Sequence, residues 1–354
     1  MNIVKPGYEI ILPPIDSVDL EEYMDKTKRH IEHCGRICYK SENNISEDSH
    51  LKMYDRLVQS KHYAVLEHGT VYFKFPMDDE VALDCYDYII DFWHERWNEV
   101  KPIIVTKDRN NFYVSTNVRY IKELGDKDKS KTFLTKVNNY LSLFDPEHHE
   151  LRVSVKLITS LQVTHDMVRH RKMSYCMEST RYCNYSKDKF TNELTFIKLP
   201  YVDVECRHYD VTELLDMEEG PEKLFIRSCF EDERNYLYAT THYNWQPQLA
   251  SCYVPKALKT EIMITGFLSD WAWIFSLRSL GITGAPRPDV LELAVPLHED
   301  FMKYYHDYLD NKWAFMDSSQ NSHIIIMNML RHMDEKNGTD KYFEHYQDYI
   351  DDEE

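Results

Sequence analysis

Apolar residues recur at three- and four-residue spacing through Leu20–Cys38 and again through His50–Lys61, which predicts two amphipathic helices. After Glu67-His68-Gly69 the period drops to two. Thr70-Val71-Tyr72-Phe73-Lys74-Phe75 is rich in β-branched and aromatic residues and predicts a strand. Helical spacing returns over Asp79–Val100, Phe112–Tyr120 reads as extended, and Asp126–Ser142 reads as a charged helix leading into Pro146. Alternation through Val153, Val155 and Leu157 predicts a strand over Leu151–Ile158, followed by a helical stretch ending near Arg169. Leu194–Leu199 is a short strand, Leu224–Thr241 a long helix and Glu261–Thr265 an apolar β-rich run. Asp270–Leu280 predicts a helix that Gly281 can stop, and Val290–Leu309 a further one. Strands interleaved with helices imply an α+β or mixed α/β domain, not a bundle. The residues after Asn311 read as an appended helical tail, and the chain shows neither an internal repeat nor a low-complexity linker.

Composition narrows the class of partner. With Lys+Arg 42 and Asp+Glu 60, the net charge is −18, so a nucleic-acid backbone is repelled unless cations are concentrated locally. The tail Asp351-Asp352-Glu353-Glu354 reads as a solvated end. Tyr is abundant, at 26 residues, and suits wet internal surfaces and subunit contacts. None of the eight cysteines forms a Cys-x-x-Cys pair, and Met1–Ile10 holds no apolar run of signal-peptide length. No stretch approaches the roughly 20 apolar residues of a membrane span. These features predict reduced cysteines in a cytoplasmic protein without a membrane or nucleic-acid partner.

The densest cluster of reactive residues also concentrates cations. Between His165 and Tyr182 fall Arg169, Arg171, Lys172 and Arg181, with two histidines, several hydroxyls and two carboxylates. The nine glycines never take G-x-G-x-x-G or G-K-[ST] spacing, so a nucleotide bound here needs side chains to hold its phosphates. Arginine forks suit phosphate oxygens. In an extended segment Arg169 and Arg171, like Ser179 and Arg181, would project to one side. A solvated basic surface is the plain alternative. His165, His170, Cys176 and Cys183 lack the paired spacing of zinc ligands, so no metal site is expected. No G-x-S-x-G elbow surrounds Ser174 or Ser179.

Arg169-His170-Arg171, Ser174 and Ser179-x-Arg181-Tyr182 together resemble the R-H-R-x(2)-S-x(4)-S-x-R-Y signature of flavin-dependent thymidylate synthases. Glu67-His68 before a β-run is similar to that family's segment with a flavin-contacting histidine. Ala250–Pro255, Thr260-Glu261, Thr265-Gly266 and Trp271–Arg278 are similar to its C-terminal half.

The resemblance implies that family's fold, a mixed central sheet flanked by helices. It implies a catalytic domain over 1–310, with an insertion at about 81–149, and a helical extension over 311–354. It further implies FAD as cofactor, NADPH and methylenetetrahydrofolate as co-substrates, dUMP as substrate and a homotetramer. By position, His68, Arg169, His170, Arg171 and Glu178 would face FAD. Asp166, Ser179, Thr180 and Arg181 would line the dUMP site. Arg278 would meet the uracil as the catalytic cation, against the plainer role of capping its helix.

The chain departs from the pattern at several places. Cys176-Met177 replace Asn-Glu, so the glutamate sits one place later, at Glu178. Ser251 stands where the family has arginine, leaving Arg287 or Lys256 to supply charge, and Phe267 and Ser269 replace polar flavin contacts. Two other readings follow: a flavoenzyme modifying another pyrimidine nucleotide, for instance by hydroxymethylation, and a catalytically silent nucleotide-binding homologue.

Overall fold

The computed structural model describes residues 1–96, 102–311 and 317–339. The expected helix end at 97–100, and residues 312–316 and 340–354 of the expected helical tail with its acidic end, lie outside the described residues.

Among the described residues there are ten strands: β1 (Asn2–Val4), β2 (Gly7–Ile11), β3 (Thr70–Pro76), β4 (Ile104–Lys107), β5 (Asn111–Asn117), β6 (Leu141–Ser142), β7 (Arg152–Ser160), β8 (Ser174–Met177), β9 (Thr195–Ile197) and β10 (Lys259–Phe267). The helices are α1 (Leu20–Tyr39), α2 (Ser49–Gln59), α3 (Glu80–Arg96), α4 (Val118–Lys127), α5 (Phe133–Val137), α6 (Leu161–Met167), α7 (Pro221–Thr241), α8 (Pro247–Ala250), α9 (Leu268–Arg278), α10 (Pro288–Asn311) and α11 (Asp317–Asn337). The fold class is α+β, as the interleaved periods predict.

The strands form two antiparallel four-stranded sheets, ordered β2-β7-β10-β8 and β4-β5-β3-β6, and a parallel pair, β1-β9. Alternation explains how the first sheet carries the site. Val153, Val155 and Leu157 of β7 turn into a core shared with Trp271 and Phe275 of α9, whereas Ser154, on the opposite face, bonds His30 of α1 at 2.9 Å. Strand β10 is central and covered on both faces. Ile262 and Ile264 enter that core, while Met263 enters a second one beneath α1, α2 and β3. The segment 81–149 supplies three strands of the second sheet, on β3 as the fourth.

Two elements depart from the sequence reading. The extended run from Phe112 stops at Asn117, whose side chain accepts from the Tyr120 N–H and caps α4. The charged helix expected over Asp126–Ser142 does not form. Asp128 gathers the backbone N–H groups of Ser130, Thr132 and Phe133 at 2.7–2.9 Å, and Lys131 is left-handed at φ 58°. That local capping competes with the helix and leaves only α5, one turn, before β6. The described part of the expected tail forms α11, and Ile326, Met329 and Leu330 on it are fully buried in the core of β7 and α9. No described helix is long and apolar enough to cross a membrane.

Candidate active site

Helix α6 (Leu161–Met167) is capped by Ser160, whose hydroxyl accepts from the Val163 N–H at 3.2 Å. The Arg169-His170-Arg171 run that follows is a turn, not the extended segment that would align alternate residues. The Tyr175 hydroxyl on β8 lies 2.7 Å from the carbonyls of both Met167 and His170 and pins the turn. A turn can present consecutive side chains to one space, and Arg169, His170, Arg171 and Lys172 all line a cavity of about 490 Å³. The opposite wall is α9: Asp270 and Trp273 along it, and Arg278 at its end. Gly266 of β10 permits this closeness, because a Cβ there would collide with the Met173 thioether in the cavity wall.

Arg278 does not cap its own helix. Its Nη2 donates to the Asp166 carbonyl at 3.1 Å, and its Nε donates to His170 Nε2 at 3.1 Å. A guanidinium only donates, so His170 Nε2 accepts and the ring proton sits on Nδ1. Burial, reinforced by Arg278 and Arg169, pushes the His170 pKa down to about 4, so the ring is neutral. Asp166 faces Arg169 and Arg287, each at 3.8 Å, which places Arg287 near the site. The Arg169 side chain is 73% exposed, free to reorient onto an anion.

Asp270 escaped the sequence reading as a site residue. Its side chain is only 9% exposed, lines the cavity and lies 4.0 Å from Lys172. Burial, opposed by Lys172 and reinforced by Glu150, pushes its pKa up to about 7. An acid at the first turn of a predicted helix is ordinary in sequence, and its burial is a property of packing alone.

The other expected residues lie elsewhere. His68 is buried and its Nδ1 bonds Thr265 Oγ1 at 2.8 Å; burial, His30 and Arg152 hold it neutral, and it lines neither the arginine cavity nor the smaller one beside it. Glu178 belongs to a different cavity, of about 680 Å³. There it accepts from Tyr185 at 2.9 Å and Lys259 at 3.3 Å, and it makes no bond to the Ser179 side chain. Next to it Glu261 meets Lys259, Lys40 and Lys156; burial alone would raise its pKa, but these three ammonium groups hold it far below the carboxylate range. The Ser179 N–H donates to the Cys38 carbonyl, the Ser179 hydroxyl accepts from the Arg181 N–H, and Arg181 lies over the Tyr182 ring, exposed. Thr180 is half-buried beside them. The motif thus splits, with Arg169–Arg171 and Arg278 lining one cavity, Asp166 behind them, and Glu178–Arg181 away from it.

The family model for thymidylate synthase complementing protein matches residues 102–301, more than half of the chain. The chain belongs to that family. No curated protein matches it in sequence. Among solved structures, it is similar to the UMP/dUMP methylase PolB from Streptomyces cacaoi bound with 5-Br dUMP, with 11% identity and TM-score 0.36 over 86% of this chain and 93% of that one. It is also similar to thymidylate synthase X from Helicobacter pylori with FAD and dUMP, with 14% identity and TM-score 0.33 over 68% of this chain and 98% of that one. Likeness at these scores transfers no ligand and no residue role. The thymidylate synthase complementing model covers the arginine turn, β8, β10 and α9, which together build the cavity just described.

Proposed function

We propose that the chain methylates dUMP to dTMP, with FAD as cofactor, methylenetetrahydrofolate as carbon donor and NADPH as reductant. The observation that carries this reading is the convergence of Arg169, Arg171, Lys172 and Arg278 on one cavity in a family member without a glycine phosphate loop. That donor set fits a flavin diphosphate, since forked guanidinium groups match phosphate oxygens. The flavin supplies hydride chemistry; the chain's part is to bind, orient and set charge. Arg169 and Arg171 hold the diphosphate. Arg278, positioned by Asp166 and His170, stabilises negative charge on the uracil. Neutral His170 leaves that arginine's charge uncancelled and adds none of its own.

Ser179, Thr180 and Arg181 serve dUMP in this reading, yet they lie outside the arginine cavity of their own chain. A site using both halves would take the second half from another copy, which supports an oligomer. The homotetramer proposed with it comes from the family resemblance alone, and the cytoplasmic location from the sequence features given above. Light scattering at micromolar concentration tests assembly, and a fully active monomer would refute it.

The central test is flavin content. Wild-type protein should be yellow, absorbing near 450 nm, roughly the usual band of a flavin cofactor. Arg169→Ala with Arg171→Ala should lose FAD on gel filtration and stay folded; undiminished flavin would overturn the reading. A second reading, another carbon transfer to a pyrimidine nucleotide, is favoured by Ser251. Its hydroxyl donates to the Gln248 carbonyl at 3.0 Å and brings no cation where the resembled pattern has arginine. Turnover of dUMP with methylenetetrahydrofolate against formaldehyde separates the two.

A further inference from the structure

Beside the arginine cavity lies a smaller one of about 100 Å³, sharing Arg171, Lys172 and Met173 with it. Its inner wall holds Arg152, the first residue of β7, only 3% exposed. Arg152 Nη1 donates to the Glu67 carbonyl at 3.0 Å and to Thr70 Oγ1 at 3.4 Å, and Nη2 donates to Ser174 Oγ at 3.3 Å. All three acceptors are neutral. A guanidinium carries five N–H groups, so Nε–H and one Nη2 proton have no acceptor among the described residues. The aromatic face of Phe267 lies 5.3 Å from its carbon centre, and no carboxylate reaches ion-pair distance. Glu67 and Asp270 act on it only from further away.

A buried cation without a counter-ion is costly, and proteins ordinarily pair it. The rest of the wall deepens the imbalance. Lys172 and Arg171 are further cations on the wall, while its one carboxylate among the described residues, Glu67, is held by Arg119, which also pairs with Glu123 and so adds no net positive charge. The volume is well below the roughly 300 Å³ at which pockets begin to enclose whole organic ligands.

We propose that the Arg152 cavity binds a small oxyanion, the phosphoryl or carboxylate end of a ligand, at a subsite distinct from the larger arginine cavity. Two oxygens of that group take the unused Nε–H and Nη2–H in the parallel geometry of a guanidinium fork. Ser174 and Arg119 flank it. The proposal does not rest on the flavin reading and survives its failure.

The experiment titrates full-length protein with inorganic phosphate and, separately, acetate, at ionic strength held constant with chloride, following the unfolding temperature and the heat of binding. At least one of the two anions should give saturable stabilisation: phosphate alone assigns a phosphoryl group, acetate alone a carboxylate. Arg152→Lys should weaken that affinity by about tenfold or more, because lysine keeps the charge and loses the fork. Arg169→Ala, in the larger cavity, should leave it unchanged. No saturable effect of either anion overturns the proposal. So does an effect lost in Arg169→Ala and kept in Arg152→Lys, which would put the anion in the larger cavity and leave the flavin reading standing. Should Arg152→Lys fail to fold, Arg119→Gln decides: weaker binding supports the subsite and unchanged affinity overturns it.

Discussion

Arg278 Nε and His170 Nε2 are 3.1 Å apart, and this bond ties the end of α9 to the arginine turn 108 residues earlier. The same guanidinium holds the Asp166 carbonyl, so one side chain fixes both ends of the turn's entry. Lysine can satisfy only one of these acceptors at a time in comparable geometry. Arg278→Lys should retain fold and flavin yet lose about 10²–10³ in turnover, the size found for removal of one preorganised charge-stabilising donor. Arg278→Met should raise the His170 pKa from about 4 towards the ordinary histidine range, since a repelling cation is gone; burial and Arg169 keep it from returning fully. A proton NMR titration of the ring reads the shift. Wild-type turnover and dUMP affinity in the lysine variant would reduce Arg278 to a clamp.

Asp270 gives a pH dependence with a definite sign. Its folded pKa, about 7, lies above the unfolded carboxyl value of 3.8. Below pH 4 both states hold the proton and the group is neutral to stability. Between 4 and 7 the folded state keeps a proton that the unfolded chain releases, so stability falls as pH rises through this window. Above 7 the loss is complete. Asp270→Asn keeps an oxygen for the Phe267 N–H, made by the carboxylate at 3.3 Å, and removes the ionisation. Its unfolding temperature should fall less than that of wild type between pH 4 and 7.5. Parallel curves for the two proteins would show that Asp270 does not titrate there.

No thiol serves the arginine cavity. Cys176 is buried, and the neighbouring Cys38 thiol together with burial pushes its pKa well up, while burial pushes Cys183 up to about 12. Neither lines the cavity. Cys176→Ser and Cys183→Ser should each keep turnover within about tenfold of wild type. A loss near a thousandfold in either, the scale of a missing nucleophile, would require a thiol mechanism.

The sequence reading succeeded where one period dominates. Val153, Val155 and Leu157 alternate, and β7 follows; Leu20–Cys38 keeps helical spacing, and α1 follows. It failed where one side chain overrules its neighbours, as Asp128 does by gathering three backbone N–H groups. The candidate site was legible as far as Arg169, His170, Arg171 and Arg278, because fixed spacing survives in sequence. The separation of Glu178 was not. A one-residue shift along an extended segment turns a side chain to the other face, and here it turns towards Lys259 and Tyr185. Arg152 left a signal that could have been used: a lone arginine beginning an otherwise apolar-alternating strand is anomalous unless something answers its charge.

Helix α11 lies beyond the segment that the family model matches. A dispensable extension would contribute surface contacts only. Instead Ile326, Met329 and Leu330 are fully buried against the core that holds Trp271 and Phe275, and Ser322 Oγ donates to Ser269 Oγ at 3.3 Å. Lys336 Nζ also donates to the Ser279 carbonyl, just past Arg278, at 3.0 Å, so α11 braces the end of the helix that carries that arginine. Burying three such aliphatic side chains stabilises by about 1.5–3 kcal/mol each, a sum comparable to the whole stability of a typical domain. Truncation after Asn311 should therefore yield insoluble or unfolded protein, read by circular dichroism and gel filtration. Met329→Ala is the milder test and should cost about 2–5 kcal/mol in urea unfolding, with the slope unchanged. A truncated chain that folds, binds flavin and turns over dUMP at the full-length rate would show that α11 is an accessory, and that the packing of α9 does not depend on it.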